Sequence, residues 1–319
     1  MKNIRFPFKA SLLFILYLLC LYCCTAQYRI PDSVHRIVFL GNSITYAGSY
    51  ITDIEAWFIT HHPGKQYEFI NVGLPSETVS GLSEPGHADG KFPRPDLHER
   101  LDRVLALTKP DLVFICYGMN DGIYLPFEEG RFLKFKDGMI DVHNKVAQTG
   151  ARIIHLTPPY YDELKGGSKG YGATLDKYSD WVLAQQKAAG WKVIDIHYPM
   201  KRFTEAHRKV DSAFGIAAFA LAEDGVHPGE AGHWIMAKQV LLYLGEKGVA
   251  RALDIHAALA DTPKGEVILK LVAERQSIMK DAWLTAAGHK RPMMNVGIPL
   301  DEAKEKYDEI EKEIRGLMK

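Results

Sequence analysis

Three short stretches of this chain carry side chains that could together move an acyl group. Gly41-Asn42-Ser43-Ile44-Thr45 offers a hydroxyl, Gly118-Met119-Asn120-Asp121 a primary amide, and Asp224-Gly225-Val226-His227-Pro228 a carboxylate and an imidazole. A serine hydroxyl is a weak nucleophile until a base takes its proton, and the oxyanion that then forms must meet donors already in place. The base is expected to be a histidine held by a carboxylate. A turn at Gly225 would carry the Asp224 carboxylate to the far ring nitrogen of His227, and Pro228 would keep the following helix from starting early. Asp195 and His197 form a rival pair, because residues two apart on a strand share a face. The turn is better suited than the strand end to reach Ser43, which favours Asp224 and His227. Each residue also has a plainer use: Ser43 could simply cap a helix, and Asn120 could simply form a turn.

Such residues meet only if the fold brings them to one edge. From Arg36 onward, short apolar runs alternate with segments of helical period, the pattern of a parallel sheet with helices on both faces. Strands are expected at Arg36 to Leu40, Tyr67 to Val72, Leu112 to Tyr117, Arg152 to Leu156 and Lys192 to Ile196. Helices are expected near Tyr50 to His61, Leu97 to Leu107, Arg131 to Thr149, Leu175 to Ala189 and Glu230 to Leu244. In an open parallel sheet, ligands sit beyond the carboxyl ends of the strands, where strand order reverses. With the flavodoxin-like order 2-1-3-4-5, the loops after the first three strands open onto one crevice. The second of these loops is Asn71-Val72-Gly73-Leu74-Pro75-Ser76-Glu77-Thr78.

At this point the chain resembles the SGNH (GDSL-like) hydrolases. The stretch around Ser43 looks like their first block, that around Asn120 like their third, and that around His227 like their fifth, in order across about Arg36 to Leu244. The resemblance implies a three-layer α/β/α flavodoxin-like sandwich with a five-stranded parallel sheet. It implies Ser43 as nucleophile, His227 as general base and Asp224 as the acid that orients it, with no metal or organic cofactor. It also implies an oxyanion hole built from the Ser43 amide, a second-block amide and the Asn120 side chain. Two positions depart from the family's pattern. Asn42 stands where the family usually has aspartate, which keeps much of the local hydrogen bonding and removes a charge. Ser76 stands where the family has its oxyanion glycine; serine can supply the amide if positive φ is not required, with Gly73 in reserve.

The remaining features bound the setting. Lys plus Arg and Asp plus Glu both number 39, so no net field would draw the chain to nucleic acid. Lys2 and Arg5, the apolar run from Ser11 to Cys24 and the small residue Ala26 read as a signal peptide over 1–26, with no stable membrane span after cleavage. A lipoprotein anchor at Cys23 or Cys24 is the weaker reading. Cys116, inside an apolar run, reads as a buried small hydrophobe. The other histidines, including His61, His62, His87, His98, His155 and His233, show no metal spacing and read as surface or packing residues. A hydrolase domain over 27–261 is expected to be followed by a helical extension over 262–319, with helices at Lys264 to Ala286 and Asp301 to Met318. The Gly- and Pro-rich segment Leu82 to Arg94, with Tyr160, Tyr161 and Gly166-Gly167, is expected to frame the substrate.

The expected activity is hydrolysis of a small acyl ester, an acetyl group on a carbohydrate above all, by an exported enzyme; its partner is a small-molecule or glycan ester. A lysophospholipase, thioesterase or acetyltransferase would use the same residues. A non-catalytic glycan-binding module has no need of all the triad candidates, and a nucleotide binder would want a glycine-rich cradle that the first loop lacks.

Overall fold

The computed structural model describes residues 28–318, so the expected leader and its cleavage point lie outside the described residues. Strands β1 (Arg36–Gly41), β2 (Glu68–Asn71), β3 (Leu112–Cys116), β4 (Arg152–Leu156) and β5 (Val193–Ile194) form one sheet in the order β2-β1-β3-β4-β5, every pair parallel. The central strands are buried on both faces, which is why Ile37 to Leu40 and Leu112 to Ile115 are unbroken apolar runs. Phe39 lies opposite Phe114 in register, and their rings stack at 4.9 Å.

The helices are α1 (Ser43–Ala47), α2 (Ser49–His61), α3 (Leu101–Thr108), α4 (Glu129–Gln148), α5 (Glu163–Gly166), α6 (Tyr171–Ala188), α7 (His197–Phe214), α8 (Glu230–Tyr243), α9 (Ile255–Leu259), α10 (Gly265–Ala287) and α11 (Leu300–Leu317). Helices α2, α3, α4 and α6 each connect parallel strands, the connection that is right-handed as a rule. Helix α2 packs against α8, and α4 meets α6 where the Phe135 and Tyr178 rings stack at 4.4 Å.

Two expectations need correcting. Strand β5 stops at Ile194, short of Ile196, because the amides of Ile196 and His197 turn away to the Thr157 hydroxyl at 2.9 and 3.0 Å. Helix α7, which the sequence pattern does not announce, then begins at His197. It buries only His197, Met200 and Thr204, so its apolar stripe is too thin to announce a helix, while Pro199 is tolerated in the first turn.

The C-terminal extension is helical as expected and covers the β2 edge. Gln276 donates to the Phe69 carbonyl at 3.0 Å and to Glu55 of α2 at 2.6 Å; Arg275 donates to Glu55 at 2.7 Å and also pairs with Glu311 of α11. Helix α10 thus satisfies an edge carbonyl that would otherwise face outward. The Glu55 and Arg275 side chains are each 1% exposed, so removing either partner strands a charge away from water. Arg275→Ala is expected to lower unfolding free energy by about 3–5 kcal/mol, read from the urea midpoint. A midpoint matching the parent would show that the extension unfolds apart from the core.

Candidate active site

The first loop is shaped by close backbone packing. A Cβ on Gly41 would stand 2.1 Å from Thr45 Oγ1, and one on Gly73 would stand 2.4 Å from the Tyr46 nitrogen, so both positions need glycine for α1 to nest between them. Asn71 ties the two loops, donating to the Thr45 carbonyl at 2.7 Å and accepting from the Gly73 amide at 2.9 Å. Asn42 caps α1 by accepting from the Ile44 amide at 3.2 Å. Its buried Nδ2 has no partner among the described residues, which is where an amide fits less well than a carboxylate oxygen.

Ser43, the first residue of α1, points its hydroxyl at the late loop. Its Oγ lies 2.8 Å from His227 Nε2, and His227 Nδ1 lies 2.6 Å from Asp224 Oδ2. The other Asp224 oxygen accepts the Val226 and His227 amides at 2.8 and 2.7 Å, so one carboxylate both closes the turn and aims the ring. Partial burial alone would raise the Asp224 pKa, but the hydrogen bonds from the His227 ring and from these two amides outweigh it and hold the carboxyl below its usual range. Gly225 is left-handed at φ 79°, and a Cβ there would stand 2.4 Å from the Gly166 nitrogen. The loop after β4 therefore backs the Asp224–His227 turn, and the Asp162 backbone N–H fastens it by donating to the Gly225 carbonyl at 2.9 Å.

The second loop makes a turn closed by the Glu77 amide on the Leu74 carbonyl at 3.2 Å, with Pro75 and Ser76 as its central residues. Ser76 sits at φ 67°, the left-handed third position that a type II turn reserves for glycine. The chain thus holds a side chain where the backbone favours none, while the backbone amide of Ser76 is kept. The Gly73 amide donates to Asn71 Oδ1 at 2.9 Å.

Asn120 is oriented at both ends of its amide: Nδ2 donates to the Glu77 carbonyl at 3.1 Å, and Oδ1 accepts from the Tyr124 hydroxyl at 3.1 Å. One Nδ2 hydrogen remains to serve a ligand. Three supports were not assigned roles from sequence. Asp121, fully buried, accepts from the amides of Val79, Ser80 and Gly118 at 2.8, 2.9 and 2.9 Å, clamping the second loop to the third. Burial pushes its carboxyl up to about 6 against the pull of those donors. Glu77 and Arg100 form a buried two-point ion pair at 2.6 and 2.7 Å beneath the turn. Arg94, paired with Glu84 at 2.6 Å, lies 5.2 Å from the centre of the Tyr124 ring and reaches the Ser76 carbonyl at 3.5 Å. Nothing local in the sequence marks the last two pairs, since Glu84, Arg94 and Arg100 lie among other charged residues such as Lys91, Asp96, Glu99 and Arg103.

The rival pair comes apart. His197 is fully buried and turns to Asp176 at 2.8 Å, while Asp195 accepts from the Tyr198 amide and the Thr157 hydroxyl. Tyr161 is also corrected: it is buried, accepts the Ser168 amide and packs on Tyr171, so it offers no face to a sugar. Gly166 is covered by that same tyrosine. His155 and His233 are packing residues within the core, and burial, with His227 nearby, pushes His233 down to about 4. Among the described residues, no group of three or more His, Cys, Asp or Glu is arranged to hold a metal ion.

The model of the GDSL-like lipase/acylhydrolase family matches residues 39–235. The chain belongs to that family. It is accordingly a hydrolase of carboxylic esters. Among curated proteins, an acetylxylan esterase of Geobacillus stearothermophilus is 24% identical over 234 residues, which cover 67% of this chain and 95% of the relative. A solved structure of that esterase carrying a catalytic mutation superposes with a TM-score of 0.51 at 21% identity, covering 68% of this chain and 96% of the other. A gut microbial diltiazem-metabolizing enzyme superposes with a TM-score of 0.56 at 22% identity over 69% of this chain; the match spans 48% of that longer protein. At these identities the structural likeness speaks for the fold of the family.

The strained serine yields a test within the family site. Ser76→Gly is expected to raise stability by about 0.5–1 kcal/mol, the relief of a left-handed side chain less the added freedom of glycine in the unfolded chain. Ester turnover should stay near the parent value, because the backbone amide is retained. A loss of turnover by about tenfold or more would give the serine hydroxyl a role of its own.

Proposed function

We propose that the protein is an exported esterase that removes small acyl groups, acetyl above all, from carbohydrate. Ser43 attacks the ester carbonyl while His227 takes its proton, and Asp224 holds the ring and balances the charge that develops on it. The amides of Ser43 and Ser76 and the side chain of Asn120 receive the oxyanion. The imidazolium returns its proton to the departing alcohol, leaving an acyl-enzyme that water, activated by His227, then cleaves. The observation that carries this reading is the continuous chain from Asp224 through His227 to Ser43, at 2.6 and 2.8 Å. The Asp224 and His227 side chains are 55% and 52% exposed, which suits an ester borne on a larger glycan.

The acetylxylan esterase among the relatives supports the choice of acyl group and of a carbohydrate carrier. Export rests on the basic and apolar leader over 1–26; among the described residues no helix is long and apolar enough to cross a membrane. We assign the hydrolase domain to 27–261 and the extension to 262–319. A non-catalytic glycan-binding module would gain nothing from a histidine aligned on a serine.

Turnover of acetylated xylo-oligosaccharides and of chromogenic acyl esters of increasing chain length tests the proposal. Ser43→Ala is expected to lose roughly three to six powers of ten in kcat, and a fluorophosphonate should label the parent and not the variant. Equal rates in the two proteins would remove Ser43 as nucleophile. A preference for long acyl chains over acetyl would redirect the reading to lipid.

A further inference from the structure

Outside the site just described, a cavity of about 440 Å³ opens where α2 and α8 of the hydrolase domain meet α9 and α10. Asp53 of α2 lines it and is only 7% exposed, yet its carboxyl makes no hydrogen bond or ion pair with any described residue. That is unusual for a buried carboxylate, which ordinarily finds donors or a counter-charge. Glu230 at the start of α8 and Asp254 ahead of α9 add two more carboxylates to the lining, against a single imidazole, His256. His256 is itself engaged by Glu266 at 2.8 Å, so its charge is largely answered before it reaches the cavity. Trp234, Ile255 and Leu269 supply apolar wall.

We infer that this cavity is a binding site for an organic ammonium group carried on a compact apolar frame, with Asp53 as its counter-ion. A hydroxyl would give Asp53 a donor but no charge, whereas an ammonium provides both. Metal is the poorer fit, since no cluster of three ligating side chains forms here. Burial, opposed by His256 and reinforced by Glu230, pushes the Asp53 carboxyl up to about 7, and a bound cation would favour its ionised form. The groups facing Asp53 are Glu230, Asp254 and His256, with Glu266 behind the last. Below pH 7 Asp53 gains a proton, which opposes a cation. Above pH 7 Asp53 is charged and affinity for a cation rises, while His256, its pKa raised by Glu266, holds its proton further up than a free imidazole and offsets part of that gain. The site stands apart from ester hydrolysis and does not depend on the triad.

Calorimetric titration of the whole protein with cyclohexylammonium and with cyclohexanol tests this directly. Cyclohexylammonium should bind at least about tenfold more tightly than the alcohol at pH 8 and weaken by about tenfold at pH 5.5. Ser43→Ala should bind as the parent does. Asp53→Asn should abolish the preference for the amine, and Ala273→Phe, which adds bulk at an exposed position on the cavity lining, should block both ligands while leaving Asp53 in place. Circular dichroism of each variant separates loss of binding from loss of fold. Equal affinity for amine and alcohol, unchanged binding in a folded Asp53→Asn, or no binding by the parent would each overturn the inference.

Discussion

The buried carboxylate of Glu77 is the interaction on which the catalytic edge of the sheet depends. Its side chain takes two hydrogen bonds from Arg100 and one, at 2.6 Å, from the Tyr117 hydroxyl at the end of β3. Its own amide closes the Ser76 turn, and its carbonyl orients Asn120. Taking two such charges out of water costs several kcal/mol per ion, and only near-complete hydrogen bonding offsets that cost. Here the pairing is two-pronged, and Arg100 also reaches the Val72 carbonyl at 2.8 Å. An ordinary apolar core could support the same weight. It could not set the orientation of one turn and one amide at the same time, because dispersion contacts have no direction.

The same device recurs at the far side of α2, where Glu55, Arg275, Gln276 and Glu311 bind the extension to the domain. The extension also reaches the nucleophile's helix: Tyr46 donates to Asp281 at 2.8 Å, and the Lys280 ammonium lies 4.3 Å from the centre of its ring. Burial, and then Asp281, pushes the Tyr46 phenol up to about 12, which keeps it a donor at any working pH. Although the extension lies outside the span matched by the family, it braces the helix that carries Ser43 and covers the exposed sheet edge. Its helices are amphipathic for that reason, and one expects their loss to be felt at the site.

The sheet was legible because its central strands are buried on both faces, which forces unbroken apolar runs bounded by glycine turns. The meeting of Ser43, Asn120 and His227 was legible for a related reason: each follows a strand or helix boundary whose order on the sheet is limited by right-handed crossovers. What stayed hidden was set by partners distant in sequence. Nothing local tells that Glu77 will find Arg100, or that His197 will turn to Asp176 rather than Asp195. Helix α7 was hidden because most of it faces water, and the handedness of Ser76 because serine signals no such turn.

The departures from local rules are not scattered at random. Ser76 is left-handed without being glycine, Asn42 keeps an unpartnered amide, Asp121 is a carboxylate sunk among backbone amides, and Asp53 is buried without a donor. The first three belong to the loops that begin at the carboxyl ends of the first three strands, and Asp53 lies on the helix that follows the nucleophile. Stable cores have no need of such arrangements, and each costs about 1–3 kcal/mol that packing elsewhere must offset. The concentration of the first three around one crevice is what an open parallel sheet permits, because its strand ends leave backbone groups free of the ladder and able to serve a ligand. The aromatic stack of Phe69, Phe39 and Phe114 behind them supplies the rigid support that lets those groups stay in place.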